Sequence, residues 1–350
     1  MFERIVPPLL VGLAILIPTA VTGAFALAFA QDGPHYRQEL HARTSSLEEM
    51  RRATPTTPPR GVVEPLRGPW VVALQPGHWQ IEDLPSEHDH RRRGPGAVFG
   101  SLREIDVNLP VVDALVPLLE AEGWTVLVVP ATVPPGLRAD AFLSVHADWA
   151  GDPNRRGWKL APPWRPSPAA RALADALSAE FADTLPHDRD GVTGGMRGYF
   201  GFASHRYEHA SSPFTPAVLV ELGFLTNRSD RDRLTTDPDF YAAILHRGLK
   251  RYFANRDRDD AESLRPQQFG VYTARATGAA VRVRPDPGAA VLRTVEPGQL
   301  FRPVDRRGEW LEVRVREPRR MAWIHRSAVT VISQDGWWLP VRSGLHAYGP

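Results

Sequence analysis

Four short runs of nearly uninterrupted apolar residues, at 71–74, 125–129, 141–145 and 217–222, constrain this chain most. Apolar runs of this length, without polar alternation, are the pattern of strands covered on both faces, which are found in parallel sheets. Helical segments separate them. After Ser167-Pro168, a cap residue followed by a residue suited to the first helical turn, Leu173, Leu177, Phe181 and Leu185 recur at every fourth position. Between 106 and 120 the apolar residues Val107, Val111, Leu115, Leu118 and Leu119 keep a helical spacing that Pro110 and Pro117 interrupt. The alternation predicts an α/β fold with a mainly parallel sheet flanked by helices. In such sheets ligands gather beyond the carboxyl ends of the strands.

With 43% apolar residues in 350, the chain has enough material for a real core, and disorder throughout is excluded. It has no cysteine, which removes disulfide scaffolds, thiolate nucleophiles and Cys-rich zinc fingers together. Any metal falls to His, Asp or Glu. The 42 basic residues are balanced by 40 acidic ones, and lysine occurs only at Lys159 and Lys250. A net charge of +2 spread among acids gives no reason to expect a nucleic-acid partner.

Residues 5–31 carry no charge, and as a helix they are long enough for a hydrocarbon core that takes about 20 apolar residues. Ala28-Phe29-Ala30 resembles a small-x-small cleavage site, but the run exceeds the ~7–15-residue core of a signal peptide, which favours a retained transmembrane anchor over a cleaved signal sequence. Either way the remainder is expected outside the cytoplasm. The Pro- and Thr-containing stretch 31–66 reads as a tether, because prolines lack amide donors. A charge-dense run marks a second break. The expected organisation is therefore an anchor or signal at 1–30, a tether at 31–66, a larger domain at 67–257, a linker at 258–268, a smaller domain at 269–334 and a tail at 335–350.

Four titratable residues fall near the ends of the predicted strands. His78 follows the first in VVALQPGHWQ, His146 follows the third in AFLSVHAD, Glu221 ends the fourth in PAVLVELGFLTN, and Glu104 precedes a helix in SLREIDVN. Two imidazoles and a carboxylate form a common catalytic zinc set that leaves a position for water, and a second carboxylate is then available to carry a proton. Taken singly, each residue has an ordinary structural explanation, such as a hydrogen-bonded strand-end histidine or a first-turn glutamate favoured by the helix dipole.

The ordered segments VALQPGHWQ, SLREIDVNLPVVDALVPLLEAEGWTVLVVP, ADAFLSVHAD and TPAVLVELGFLTNRSDRDRL resemble the zinc-dependent N-acetylmuramoyl-L-alanine amidases of the type 3 family across about 67–255. The resemblance implies an α/β cell-wall hydrolase in which His78, Glu104 and His146 bind zinc and Glu221 is catalytic. It also implies cleavage of the amide joining N-acetylmuramic acid to the L-alanine of the stem peptide, with peptidoglycan as the partner. Two departures stand out. An acidic residue of the family is Gln75 here, expected to make the site less basic, and the family's GHGG is GHWQ, which places Trp79 beside a ligand where substrate access or metal geometry can differ. The loop 81–97 is either a flap whose arginines reach glycan or stem-peptide carboxylates or a solvated loop, and His88 with His90 is a candidate second metal pair. His205 and His209 are candidates for the cleft wall.

Between 269 and 334, short β-type runs alternate with Pro-Gly and Arg-Gly turns. VRVRPDPG, RGEWLEVRV and AWIHRSAV resemble the bacterial SH3-like domain, which implies a small all-β barrel of about five strands that binds wall material. The whole reads as a zinc amidase outside the cytoplasm, membrane-anchored or secreted and associated with the cell wall. A catalytically silent wall-binding protein and a zinc carboxypeptidase acting on wall peptides are the competing readings. A protein activator is left open.

Overall fold

The structure, a computed structural model, describes residues 63–186, 188–315 and 320–333. The expected anchor, nearly all of the tether, the tail with Trp337 and Trp338, and His187 lie outside the described residues. Among the described residues no helix is long and apolar enough to cross a membrane.

The four apolar runs form β1 (Val71–Pro76), β2 (Thr125–Val128), β3 (Ala141–Asp148) and β5 (Ala217–Phe224). A short edge strand, β4 (Lys159–Ala161), completes one sheet in the order β2-β1-β3-β5-β4. The first four strands are mutually parallel, whereas β4 runs antiparallel to β5. The fold is thus α/β with a mainly parallel sheet, as the runs predict. Alternate residues of each strand enter different cores: Val72, Leu74, Leu143, Val145, Val218 and Val220 on one face, Ala73, Phe142, Ala217 and Leu219 on the other.

Three helices cover the first face: α1 (Ile105–Ala121), α2 (Pro168–Thr184) and α4 (Pro238–Ala254), with the shorter α3 (Arg228–Thr236) after β5. The second face is covered instead by the segments that carry Val129, Val133 and Phe202 and by the one-turn helix Gly194–Arg197, so long helices flank only one side. Pro110 and Pro117 do not break α1. Both prolines are exposed, and the carbonyls they leave without a donor belong to Asp106 and Asp113, which also face solvent, where water replaces the missing bond. Ser167 caps α2 as expected, its Oγ accepting the Ala170 amide at 3.1 Å.

The C-terminal part is all-β. Eight short strands form two antiparallel sheets: β6 (Val271–Ala274), β7 (Ala279–Arg282), β8 (Val291–Val295), β9 (Leu300–Phe301), β10 (Asp305–Arg307), β11 (Trp310–Val315), β12 (Arg320–His325) and β13 (Val329–Ser333). Their orders are β8-β7-β12-β11-β10 and β9-β6-β13, around a core that includes Val281, Val295, Phe301, Leu311, Val313 and Ile324. The strand count exceeds the expected five by three, and two of these, β9 of two residues and β10 of three polar residues, are too short or too polar to register as apolar runs.

The stretch expected as a linker is fastened down. Leu264 packs with Val63 and Ala169, Arg258 lies over the Trp70 ring at 3.6 Å, and the Gln267 amide nitrogen Nε2 donates to Asp305 at 3.1 Å. A buried ionic cluster joins the two parts. Arg197 donates to both oxygens of Glu312, at 2.7 and 3.3 Å, and lies 3.5 Å from Asp305, which also pairs with Arg171.

Candidate metal centre and its proton carrier

The strand ends bring His78, Glu104, His146 and Glu221 to one open cavity of about 550 Å³. Gly77 donates its amide to the Val145 carbonyl at 2.7 Å, which sets His78 beside the end of β3. His146 and Glu221 lie side by side in the register of β3 and β5. Glu104 enters from the cap of α1 and is buried.

The hydrogen bonds decide which nitrogen of each imidazole is bare. His78 Nδ1 lies 2.9 Å from the Gly94 carbonyl; a carbonyl only accepts, so Nδ1 carries the proton and Nε2 presents a lone pair to Glu104 Oε2 at 3.4 Å. Ser144 Oγ donates to Gln75 Oε1 at 2.8 Å, so it accepts from His146 Nε2 at 3.0 Å. His146 Nδ1 is then bare and faces Glu104 Oε1 at 2.7 Å. Three acceptors therefore converge, with one ligand atom from each residue and all within 4.8 Å of one another. Such a set calls for a cation, and ligands bound to zinc at 2.0–2.1 Å stand about 3.3 Å apart. The residues fit a metal ion. Two glycines keep the space clear: a Cβ on Gly77 would overlap the His146 ring, and one on Gly96 (φ +80°) would meet Glu104 and His78.

The two carboxylates are pushed in opposite directions. Burial raises the Glu104 pKa, but once a second proton makes the imidazoles cationic, so that His146 Nδ1 donates to Glu104 instead of presenting a lone pair, that hydrogen bond, the charges of His146 and His78 and the Ala97 amide, 2.7 Å from Oε2, outweigh burial and hold the carboxyl below the usual range. Glu221 has no comparable support. Burial, with the nearby charges of Glu104 and Asp148, raises its pKa well above the ordinary value, and Lys159 opposes that only in part. Its Oε2 is sealed from solvent and has no hydrogen-bond partner. Environments that separate two carboxyls in this way suit one to stay ionised and the other to exchange a proton.

Several expectations are corrected. Gln75 acts on the site through hydrogen bonds: it is fully buried, donates to the Pro130 carbonyl at 2.8 Å and accepts from Ser144 and from Tyr199 Oη at 2.6 Å, so it fixes the His146 tautomer from behind. Trp79 does not line the cavity; Trp149 does, 52% exposed. The loop 81–97 is packed down at its middle, while Glu82, Asp83, Asp89, His90, Arg92 and Arg93 stay exposed. His88 is fully buried between the rings of Phe200 and Tyr207, and Glu87 accepts the amides of Glu208 and His209 at 3.0 and 2.9 Å. His90 is exposed while His88 is not, and among the described residues the only metal-type cluster is His78, Glu104 and His146. His209 is buried against Glu87, away from the cavity.

One residue near Glu221 escaped the sequence reading. Lys159 lies opposite Glu221 in the β4–β5 register, is 1% exposed, and pairs with Asp148 and, at 3.4 Å, with Asp190. Its one signal is rarity in an arginine-dominated chain. The GFLTN segment after Glu221 is structural: Asn227 caps α3, and Asp230 accepts the amides of Phe224 and Gly157 at 2.9 and 2.7 Å, which pins the end of β5.

Comparisons with known proteins bear on this site. The probable cell wall amidase LytH of Staphylococcus aureus is 28% identical over 200 residues, which are 54% of this chain and 60% of that protein. The match thus spans about three fifths of the curated relative's length. Among solved structures, the N-acetylmuramyl-L-alanine amidase Ami1 of Mycobacterium smegmatis matches 55% of this chain and 100% of its own, with a TM-score of 0.41 and 20% identity. CwlD of Clostridioides difficile, solved in complex with the GerS lipoprotein, matches 53% and 100%, with a TM-score of 0.39 and 18% identity. A profile described as N-acetylmuramoyl-L-alanine amidase matches residues 72–247, from β1 into α4 and through all four site residues. That match takes in half of the sequence, and the chain belongs to the N-acetylmuramoyl-L-alanine amidase family.

Proposed function

We propose that the chain is a peptidoglycan hydrolase that cleaves the amide between the lactyl group of N-acetylmuramic acid and the L-alanine of the stem peptide. His78 Nε2, His146 Nδ1 and a Glu104 carboxylate oxygen hold a zinc ion. When bound, that ion supplies Lewis acidity toward a water and an amide carbonyl. Glu221 accepts a proton from the attacking water and returns it to the amine nitrogen as the C–N bond breaks, leaving a lactyl carboxylate and a free amino group. Ser144 and Gln75 hold His146 in the tautomer this arrangement needs. The observation that carries the reading is Glu221: a carboxyl beside three convergent ligands, with an unpartnered buried oxygen and a raised pKa.

The same reading assigns the β unit as an SH3-like module for wall material, residues 1–30 as the membrane anchor or signal, and the cell wall outside the cytoplasm as the place of action. Gln75 and Trp79, the two departures from the family pattern, are not among the residues that line the cavity. The test is mass spectrometry of muropeptides after digestion of purified peptidoglycan by the purified chain, with and without a chelator. Intact stem peptides freed from glycan only without chelator are expected. Shortened stem peptides still attached to glycan would instead identify a carboxypeptidase, and no product with zinc bound would identify a silent binder.

A further inference from the structure

Eight tryptophans lie among the described residues, and Trp149 alone of them is exposed. Trp70, Trp124, Trp158 and Trp310 each pack on another ring, Trp164 carries the Arg197 guanidinium and Trp323 is buried, whereas Trp149 has no such partner among the described residues. Its indole instead borders the cavity that holds His78, Glu104, His146 and Glu221. An indole left in water forfeits the burial of a large apolar surface, so its place at this site calls for a reason.

The backbone beneath it is pinned on both sides. The Leu225 amide donates to the Asp148 carbonyl at 2.9 Å, the Ala150 amide to Thr226 Oγ1 at 3.1 Å, and the Trp149 amide to Asp148 Oδ1 at 2.7 Å. Leu225 and Thr226 directly follow β5, so the strand that carries Glu221 also sets the base of the indole. The Asp148 carboxylate is held in turn by Lys159. The apolar surface extends past the indole. Val98 lines the same cavity and is exposed, and Phe99, next on the same two-residue strand, is exposed with Arg231 over its ring at 4.0 Å. The cavity thus joins a polar part, where the two imidazoles and two carboxylates stand, to an apolar border of Trp149 and Val98, the combination expected of a site that fixes both the chemistry and the orientation of a ligand.

We propose that Trp149 is the residue of this site that recognises glycan: its indole face receives the C–H face of the N-acetylmuramic acid ring, with Val98 beside it, while the lactyl amide reaches the metal centre. The substrate named here rests on the amidase reading. The two sides of the scissile amide differ in shape. On the acyl side stands a pyranose, rigid and nearly flat, whose ring hydrogens form an apolar face that matches an aromatic one. On the amine side alanine offers a single methyl group, which an indole far exceeds. A flat, rigid, amphipathic side chain suits the pyranose, because little conformational freedom is lost when the sugar covers it.

The test uses the zinc-loaded full chain and two substrates with the same scissile amide, an N-acetylmuramoyl tripeptide and the D-lactoyl tripeptide that lacks the sugar. The wild type should prefer the first in kcat/KM, and Trp149→Ala should reduce that preference about tenfold, mainly through KM. Trp149→Phe, which keeps a flat face, should retain most of it. A preference unchanged by Trp149→Ala overturns the proposal, whether both rates hold or both fall together. Calorimetric titration of Glu221→Gln with the muramoyl tripeptide, with and without Trp149→Ala, reads the same contact without hydrolysis. Affinity about tenfold weaker without the indole is expected, and equal affinity overturns the proposal. Trp149-dependent binding with no hydrolysis of either substrate by the wild type would defeat the amidase reading and leave the glycan contact standing; hydrolysis with affinity indifferent to Trp149 would do the reverse.

Discussion

The molecule buries charge in two places and treats it differently in each. At the junction, Arg171 and Arg197 meet Asp305 and Glu312, two cations against two anions, with Gln267 and the Arg306 amide on the other oxygen of Asp305. At the strand ends, His78, His146 and Glu104 present lone pairs to one another, and Glu221 keeps an oxygen with no partner. Lys159, the cation nearest in effect to Glu221, is occupied by Asp148 and Asp190. A closed, charge-matched cluster fastens two parts of a chain; an open cluster of acceptors stores an unmet demand for a cation and for a proton. The two can be told apart by what happens when one member is removed.

The largest effect is expected at Glu221. Glu221→Gln should lower muropeptide release by about 10²–10⁴-fold, the usual contribution of general acid–base catalysis, while zinc content stays unchanged. The same substitution should stabilise the metal-free fold. A carboxyl whose folded pKa lies above its ordinary 4.5 contributes stability that is full below that value and is lost as pH rises through the folded pKa. Urea unfolding in chelator should therefore give equal stability for wild type and variant below about pH 4.5, with the wild type falling behind as pH increases. Parallel curves at every pH would remove Glu221 as the strained proton carrier.

The junction should respond in the opposite direction. Glu312→Ala leaves Arg197 buried with its main partner gone, which should cost about 3–5 kcal/mol in urea unfolding. Replacing the pair together, Arg197→Met with Glu312→Leu, should cost much less, since apolar groups carry no desolvation penalty there. A double variant as unstable as the single one would mean that the cluster does more than neutralise itself.

Behind the metal centre the expected effect is intermediate. Gln75→Leu removes the acceptor of Ser144 and Tyr199, so the His146 tautomer is no longer fixed from behind. Zinc affinity, measured by competition with a chromogenic chelator, should fall about 10–100-fold, as for other partners that orient metal ligands. An unchanged affinity would show that Ser144 alone suffices.

What the sequence made legible follows how far apart the interacting residues are. The β1, β2, β3 and β5 runs and the spacing of α2 depend on neighbours a few positions away, and they stand where the sequence predicts. His78, Glu104, His146 and Glu221 could be named because each follows or precedes a regular element in a recognisable order. The Gln75–Ser144–His146 relay could not, since it depends on the β1–β3 register, in which Gln75 stands opposite Ser144. The loop 81–97 misleads for the same reason. Its charges suggest solvent, but Phe200, Tyr207 and His209, more than a hundred residues later, close over His88 and Glu87. β4 is three residues with a buried lysine, and no local pattern announces it.

The smallest expected effect sharpens the contrast between function and fold around His78. His78 and Gln80 both adopt left-handed backbone, at φ +64° and +54°. The strain at His78 accompanies a side chain that lines the candidate metal site, where such conformations are tolerated. Gln80 is exposed and outside the cavity, so its strain brings nothing comparable to the site. Gln80→Gly should relieve up to about 1 kcal/mol of left-handed strain, partly offset by the greater freedom of glycine in the unfolded chain. A melting temperature raised by a few degrees with zinc affinity unchanged is expected. A loss of zinc affinity would mean instead that the rigidity of Gln80 helps hold the His78 turn, and that the strained backbone at 78–80 belongs to the site as a unit.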